Sequence, residues 1–108
     1  MEGITMKKIL LACNAGMSTS MLVGKMRSAA KELNVDAEIN AVSVTELNDL
    51  IGEVDIVLLG PQVKFQRAAV EELAAGRIPV DVIDMRDYGT MNGKKVLQKA
   101  LDLIAKEA

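Results

Sequence analysis

The sequence predicts an α/β fold in which helices cover both faces of a parallel sheet. Short apolar segments alternate with longer segments whose apolar residues recur at helical spacing, and two of the short segments contain almost no polar residue. Four such repeats of strand and helix indicate a four-stranded parallel sheet, and right-handed crossovers leave few topologies open. We therefore expect one three-layer α/β/α domain over residues 1–108, with strand order 2-1-3-4.

Four segments are predicted as strands. Residues 8–12 are apolar after a charged start, and residues 37–44 mix β-branched with polar side chains. Residues 55–59 are almost entirely Val, Ile and Leu, and residues 80–83 follow a proline. Because the first and third segments are so uniformly apolar, we expect those two strands to be buried on both faces of the sheet.

The segments between the strands are predicted as helices. Thr45, followed by Glu46 and Asp49, indicates a short capped helix after the second strand. Gly76 is expected to end the helix after the third strand. Three longer stripes at helical spacing indicate amphipathic helices: Leu22, Met26, Ala29, Ala30 and Leu33; Ala69, Val70, Leu73 and Ala74; and Leu97, Ala100, Leu101 and Ile104.

The composition excludes several kinds of chemistry. The chain of 108 residues is 50% apolar, which is enough for a core without stabilising metals or disulfides. Cys13 is the only cysteine, and histidine is absent. An internal disulfide, a Cys/His zinc site and a Ser-His-Asp triad are therefore excluded, and we expect no metal and no cofactor. The net charge of −2 gives no reason to expect nucleic acid as a partner.

The apolar segments are too short to cross a membrane. The longest run, residues 9–13, is far below the roughly 20 residues that a spanning helix needs. The first residues also lack the pattern of a signal peptide. We therefore expect a cytoplasmic protein that does not itself span the membrane. Residues 1–5 precede a second candidate start at Met6 and are interpreted as a disordered extension.

The segment after the first strand combines a cysteine with an anion-binding turn. Ligands of open α/β sheets bind beyond the carboxyl ends of the strands, where the strand order reverses, and Cys13 and Gly60 follow the two strands that meet there. A small-residue turn before a helix offers free backbone N–H groups and the positive end of the helix dipole, which favour both an anion and a thiolate. We expect Cys13 to be the nucleophile, with phosphate bound by Asn14, Ala15, Gly16, Met17, Ser18, Thr19 and Ser20.

Each feature alone has a structural interpretation. A single cysteine at a strand end is commonly a small buried apolar residue, and a Ser-Thr-Ser run before a helix commonly serves only as a cap. The combination at the switch point favours a thiolate that attacks a phosphoryl group and holds it as phosphocysteine.

The loop is phosphatase-like, but it lacks a phosphatase residue. Protein tyrosine phosphatases use a Cys-x5-Arg loop whose arginine grips the phosphate, and Thr19 stands at that position here. Without the arginine, and without a histidine to activate water, hydrolysis is disfavoured and a phosphoryl carrier is favoured. Two alternatives stay open: a low-molecular-weight phosphatase-like or arsenate-reductase-like enzyme, and a regulatory module that binds an anion without a covalent bond.

Three motifs together carry a resemblance to a known family. They are Cys-x-x-Gly-Met-Ser-Thr-Ser beginning at Cys13, Leu-Leu-Gly-Pro-Gln ending at Gln62, and Val-Ile-Asp followed by Tyr88 and Gly89. In this order and spacing the chain resembles enzyme IIB of the lactose/cellobiose/chitobiose family of the bacterial phosphoenolpyruvate-dependent sugar phosphotransferase system (PTS). The resemblance spans residue 7 to about residue 106.

The resemblance implies a function and further site residues. In such a system Cys13 would accept a phosphoryl group from a phosphohistidine of the IIA partner. It would then donate that group to a disaccharide held by the membrane-embedded IIC partner during uptake. Cellobiose, chitobiose and lactose stay open as the sugar, and the short, unfused chain favours the first two. The chain would be a phosphotransferase with a phosphocysteine intermediate. We expect a monomer, because nothing in the sequence demands a larger assembly. Gln62 and Tyr88 are candidate accessory residues, although Gln62 is also interpretable as a cap of the next helix and Tyr88 as a cover for the end of the sheet.

Overall fold

The structure is a computed structural model that describes residues 6–13 and 17–107; the extension predicted for residues 1–5 lies outside the described residues. Three 3-10 turns cover Val44–Glu46, Ile51–Glu53 and Pro61–Gln66. The strands and helices are β1 (Lys7–Cys13), α1 (Met17–Glu32), β2 (Ala37–Ser43), α2 (Leu47–Leu50), β3 (Ile56–Leu59), α3 (Arg67–Ala74), β4 (Val80–Val82), α4 (Met85–Gly89) and α5 (Gly93–Glu107).

The four strands are parallel and lie in the order β2-β1-β3-β4, which confirms the predicted topology. The pairing of β1 with β2 ends where Cys13 lies opposite Ser43. On its other side β1 pairs with β3 from Ile9 onward. Because the chain leaves β1 toward one neighbour and later returns on the other side, Cys13 ends its strand at the switch point of the sheet.

The two central strands are buried on both faces, as their apolar sequences predict. Ile9 and Leu11 of β1 join a cluster with residues of α1 and α5 on one face of the sheet. Leu10 and Ala12 point the other way, into a cluster with residues of α2 and α3. The sheet therefore lies between two helical layers, which is the predicted α/β/α arrangement.

The predicted apolar stripes of α1 and α5 are buried except at Leu33 and Leu101. Leu33 follows Glu32, the last residue of α1, and is exposed. Leu101 of α5 is half-buried, while the other predicted positions of these two helices are buried. The prediction is wrong at Leu33 because the helix ends one residue earlier, so this side chain leaves the packed face.

The stripe predicted for α3 is only half correct. Val70 and Ala74 are buried, whereas Ala69 and Leu73 are exposed. The helix has only eight residues and packs against β4. Only Val70 and Ala74 face the sheet, and the residues one position before each of them face solvent. A pattern of small and apolar residues therefore overstated the width of the buried face.

The short helical segment after β2 is present, but its cap differs from the prediction. The side chain of Ser43, the last residue of β2, accepts a hydrogen bond from the backbone N–H of Thr45 at 3.4 Å. Thr45 lies inside the turn. Ser43 still has extended backbone angles, φ −73° and ψ 149°, as an N-cap residue does. The predicted strand ended at residue 44, but β2 ends at Ser43. The hydroxyl that caps the turn is therefore that of Ser43 and not that of Thr45.

The end of α3 also differs from the prediction. Ala75 is the cap residue and has a left-handed backbone with φ 53°, and its N–H donates to the carbonyl groups of Glu71 and Glu72. Gly76, the expected terminator, follows with φ 74°. A residue with a Cβ is strained in this region by about 1–2 kcal/mol, whereas glycine is not. The chain therefore places alanine where glycine is the better residue.

Replacing Ala75 by glycine is expected to raise the free energy of unfolding by about 0.5 kcal/mol. The relief of strain at a left-handed position exceeds the roughly 0.4–1 kcal/mol by which glycine's freedom stabilises the unfolded chain. Urea unfolding followed by circular dichroism measures the change. The matched variant Ala69→Gly, at an exposed and helical position, should lose up to about 1 kcal/mol. A loss of the same size for Ala75→Gly would contradict the expectation.

Candidate active site

The thiol of Cys13 lies at the carboxyl edge of the sheet and is only 2% exposed. Its burial is what a structural cysteine at a strand end would show. Its surroundings, however, are polar on one side, because α1 begins at Met17, four residues later. The thiol therefore lies between the apolar sheet and the start of a helix, where free N–H groups and the helix dipole favour negative charge.

Thr19 contacts the sulfur directly. Its Oγ1 donates a hydrogen bond to the Sγ of Cys13 at 2.8 Å, and the residue is 0% exposed. Thr19 belongs to the first turn of α1, so its backbone N–H has no partner within the helix. A hydroxyl aimed at sulfur thus stands at the position where the phosphatase loop carries arginine.

Tyr88 forms the next contact. Its hydroxyl lies 3.1 Å from the Oγ1 of Thr19, and the residue is 8% exposed. A threonine hydroxyl has one proton, and that of Thr19 is directed at Cys13. The hydroxyl of Tyr88 is therefore the donor to Thr19, and the order of donation is Tyr88 to Thr19 to Cys13. The ring does cover the end of the sheet, within the cluster shared with α1 and α5, but its hydroxyl also belongs to the site.

Asp84 fixes the helix that carries Tyr88. Its carboxylate caps α4 by accepting hydrogen bonds from the backbone N–H groups of Arg86 at 2.8 Å and Asp87 at 3.3 Å. These N–H groups, Arg86 foremost, hold the pKa of Asp84 below its ordinary value. The N–H of Tyr88 donates to the carbonyl of Asp84 at 2.9 Å. Asp84 is the last residue of the Val-Ile-Asp motif, and the sequence signal that could have assigned its role is an aspartate between a strand and a helix, which is a recognisable cap.

The segment after β3 lies against Cys13. The N–H of Gly60 donates to the carbonyl of Ala12 at 2.9 Å. A Cβ built on Gly60 would lie 3.2 Å from the Cβ of Cys13 and 2.8 Å from the Oε1 of Gln62. The side chain of Gln62 thus bends back over Gly60, where its Oε1 and the Cβ of Cys13 both lie close to the same point. Gln66, not Gln62, occupies the N-cap position of α3.

The rest of the predicted phosphate-binding loop is described only in part. Met17 and Ser18 begin α1, but the description does not extend to their side chains. Ser20 is exposed in the first turn of that helix. Asn14, Ala15 and Gly16 lie outside the described residues.

Large apolar side chains follow three strands at the same edge of the sheet. Phe65 comes after β3, Met85 after β4 and Met21 in the second turn of α1, and each is more than half exposed. Because the carboxyl ends of parallel strands share one edge, these side chains belong to segments that leave the sheet at the same edge as Cys13. Large exposed apolar side chains are typical of a surface that meets another protein.

Over residues 6–13 and 17–107, no helix has the length and apolar character needed to cross a membrane. In the same part of the chain, no three His, Cys, Asp or Glu side chains come together to hold a metal ion.

Comparison with known proteins identifies relatives along nearly the whole chain. The chain is 44% identical to the PTS system oligo-beta-mannoside-specific EIIB component of Bacillus subtilis (strain 168), over 94% of this chain and 100% of that protein. It is 47% identical to the PTS system cellobiose-specific EIIB component of Lactococcus lactis subsp. lactis (strain IL1403), over 91% of this chain and 96% of that protein. It is 48% identical to the galactose-specific EIIB component of Lactococcus lactis subsp. cremoris (strain MG1363), with the same coverage.

Solved structures agree with the sequence relatives. The solution structure of a cellobiose-specific phosphotransferase IIB component from Borrelia burgdorferi has a TM-score of 0.82 and 43% identity, and 98% of each chain is covered. The lactose-specific IIB component domain from Streptococcus pneumoniae has the same TM-score at 21% identity, over 92% of this chain and 98% of that domain, and so supports the fold alone.

The family model described as "PTS system, Lactose/Cellobiose specific IIB subunit" matches residues 8–99. The matched segment contains Cys13, Thr19, Gln62 and Tyr88 and spans all four strands. The chain therefore belongs to the lactose/cellobiose-specific IIB subunits of the sugar phosphotransferase system, which are phosphotransferases of sugar transport that work with IIA and IIC partners.

Proposed function

We propose that this chain carries a phosphoryl group on Cys13 between the IIA and IIC partners. The thiolate attacks the phosphorus of a phosphohistidine of IIA; the S–P bond forms, the N–P bond breaks and the electron pair returns to the imidazole nitrogen. A sugar hydroxyl then attacks the same phosphorus and releases the thiolate, while its own proton passes to solvent or to a base of IIC. The observation that carries this proposal is the sulfur of the only cysteine, held at the sheet switch point by a buried donor.

The proposed phosphate ligands are the backbone N–H groups of residues 14–20 and the hydroxyls of Ser18 and Ser20, with Gln62 as an accessory contact. A phosphoryl group on the sulfur lies at the start of α1, where unpaired N–H groups and the dipole stabilise its charge. The side chain of Gln62 supports an accessory role because its Oε1 lies over Gly60, next to the cysteine.

The residue at the arginine position of the phosphatase loop supports a carrier over a phosphatase. Thr19 stands at that position, and its hydroxyl donates to the Sγ of Cys13. A threonine offers no positive charge to stabilise the transition state of phosphate hydrolysis, as the arginine of a phosphatase does.

The sugar and the partners follow from the relatives and from the exposed edge. We propose a disaccharide, cellobiose or chitobiose, as acceptor, in line with the cellobiose-specific names of two relatives. Relatives named for three different sugars have almost equal identity to this chain, which supports selection of the sugar by IIC. Phe65, Met85 and Met21 give a small apolar surface that suits brief contacts of a monomeric, cytoplasmic carrier.

The proposal is tested by locating the phosphate. The chain is incubated with phosphoenolpyruvate, the general phosphotransferase proteins and a cognate IIA, then treated with iodoacetamide and digested with trypsin. Cleavage after Lys8 and Lys25 leaves Cys13 in one peptide with Ser18, Thr19 and Ser20, so fragment ions must assign the site. We expect phosphate on Cys13, and protection of its thiol from alkylation that is lost when membranes with IIC and cellobiose are added.

Phosphate on a hydroxyl of the same peptide, or a thiol that stays fully alkylated, would contradict the proposal. Rapid turnover of a chromogenic aryl phosphate by the chain alone would instead favour the phosphatase alternative.

A further inference from the structure

The hydroxyl of Thr19 is not explained by phosphate binding. It is fully buried, its proton is directed at the Sγ of Cys13 at 2.8 Å, and its oxygen lies 3.1 Å from the hydroxyl of Tyr88. A hydroxyl with both neighbours inside the protein is held in one orientation. The backbone N–H of Thr19 lies in the first turn of α1, where it has no partner within the helix, so this N–H suits an anion while the hydroxyl contacts the sulfur.

We propose that Tyr88 and Thr19 form a hydroxyl relay that stabilises the thiolate of Cys13, with both acting as positioning residues. In this relay Tyr88 donates to Thr19, and Thr19 donates to the sulfur. The relay stabilises the thiolate whichever molecule the sulfur attacks. This inference rests on the proposed function only for the identity of the phosphoryl donor and acceptor.

The relay matters because the sulfur is buried. A charged sulfur at a site 2% exposed loses hydration, and a buried donor replaces part of it. Tyr88 contributes by aligning and polarising the Thr19 hydroxyl, since hydrogen bonds in a chain strengthen one another. The bond from Thr19 is weaker to a phosphocysteine sulfur, which carries no charge, than to a thiolate. The relay therefore favours the thiolate both before the attack and when it leaves the phosphorus.

The relay also joins two parts of the fold that are distant in sequence. Thr19 is in α1 and Tyr88 in α4, 69 residues further along the chain. The Asp84 cap sets the start of α4 and thereby the position of the tyrosine hydroxyl. We therefore expect a change at Tyr88 to reach the sulfur through Thr19.

The test is the rate at which iodoacetamide alkylates Cys13 at neutral pH, a readout with one site because the chain has one cysteine. Thr19→Val keeps the shape and removes the hydroxyl, and we expect it to slow alkylation by about five- to tenfold, since loss of thiolate outweighs the gain in intrinsic nucleophilicity. Tyr88→Phe should slow it by about two- to threefold. Thr19→Ser, which keeps the donor, should stay within about twofold of the unmodified chain.

The double variant and a distant control separate the relay from a general loss of structure. Because Tyr88 acts through Thr19, the double variant Thr19→Val/Tyr88→Phe should be no slower than Thr19→Val alone. Ser28→Ala, at an exposed site further along α1, should alkylate at the original rate. Circular dichroism and urea unfolding establish whether each variant is folded. If Thr19→Val does not fold, the alkylation rate of Tyr88→Phe is the test.

Several outcomes would overturn the relay: an original rate in folded Thr19→Val or in Tyr88→Phe, a serine variant as slow as the valine variant, or additive effects in the double variant. A chain whose Cys13 is never phosphorylated by IIA would contradict the proposed function and leave these alkylation rates as they are. The two failures are therefore distinguishable.

Discussion

Cys13→Ser is expected to abolish transfer of phosphate from IIA to sugar, with a rate at least roughly three orders of magnitude below that of the unmodified chain. Serine preserves the size of the side chain and its contact with Thr19, but its hydroxyl does not ionise at neutral pH. A phosphoserine that did form would hold its phosphate, because an alkoxide leaves phosphorus far less readily than a thiolate. The measurement is phosphoenolpyruvate-dependent phosphorylation of cellobiose in the presence of IIA and IIC membranes.

A matched variant shows whether the loss belongs to the sulfur. Ser28→Ala changes an exposed hydroxyl on α1, the helix that follows Cys13, and should leave the transfer rate as it is. If Cys13→Ser kept both transfer and affinity for an anion, the covalent mechanism would be wrong. A noncovalent anion-binding module would then be the better description of the site.

The topology was predictable because its determinants are local and repeated. Each short apolar segment predicts a buried strand. The right-handed crossovers between parallel strands then favour one order for the four strands, which is the order observed. The position of Cys13 at the switch point follows from that order alone. What the local pattern could not supply is the exact end of each element, and for that reason Ser43 and Ala75 take the cap positions expected of Thr45 and Gly76.

The inner part of the site was beyond sequence reasoning for a different reason. Thr19 was identified as a loop residue and Tyr88 as a candidate accessory residue, but no local signal connects them across 69 residues. Their contact exists because α4 follows β4 on the far side of β3 from β1 and carries its tyrosine back over the sheet end toward α1. Such a contact depends on how the layers pack, so the sequence alone does not predict it. Cys13, in contrast, could be identified from the sequence because it is the only cysteine and follows a predicted strand.

At Gly93, α5 lies directly against the backbone of α1. A Cβ built on this residue would lie 2.5 Å from the carbonyl carbon of Lys25 and 2.6 Å from the backbone nitrogen of Met26. Both are backbone atoms in the middle of a helix, so they cannot yield as the tip of a side chain can. The residue is buried and begins α5, four residues after the end of α4.

Gly93→Ala is therefore expected to lower the free energy of unfolding by about 3 kcal/mol, a large part of the roughly 5–15 kcal/mol typical of a domain. Urea unfolding measures this loss. Gly24→Ala is the matched control, because its Cβ meets no atom within 4 Å; on an exposed face of α1 it should gain about 0.5–1 kcal/mol. If Gly93→Ala were as stable as Gly24→Ala, the close approach of the two helices would not be needed. Because that approach also fixes α4 against α1, folded Gly93→Ala should alkylate Cys13 as slowly as Tyr88→Phe.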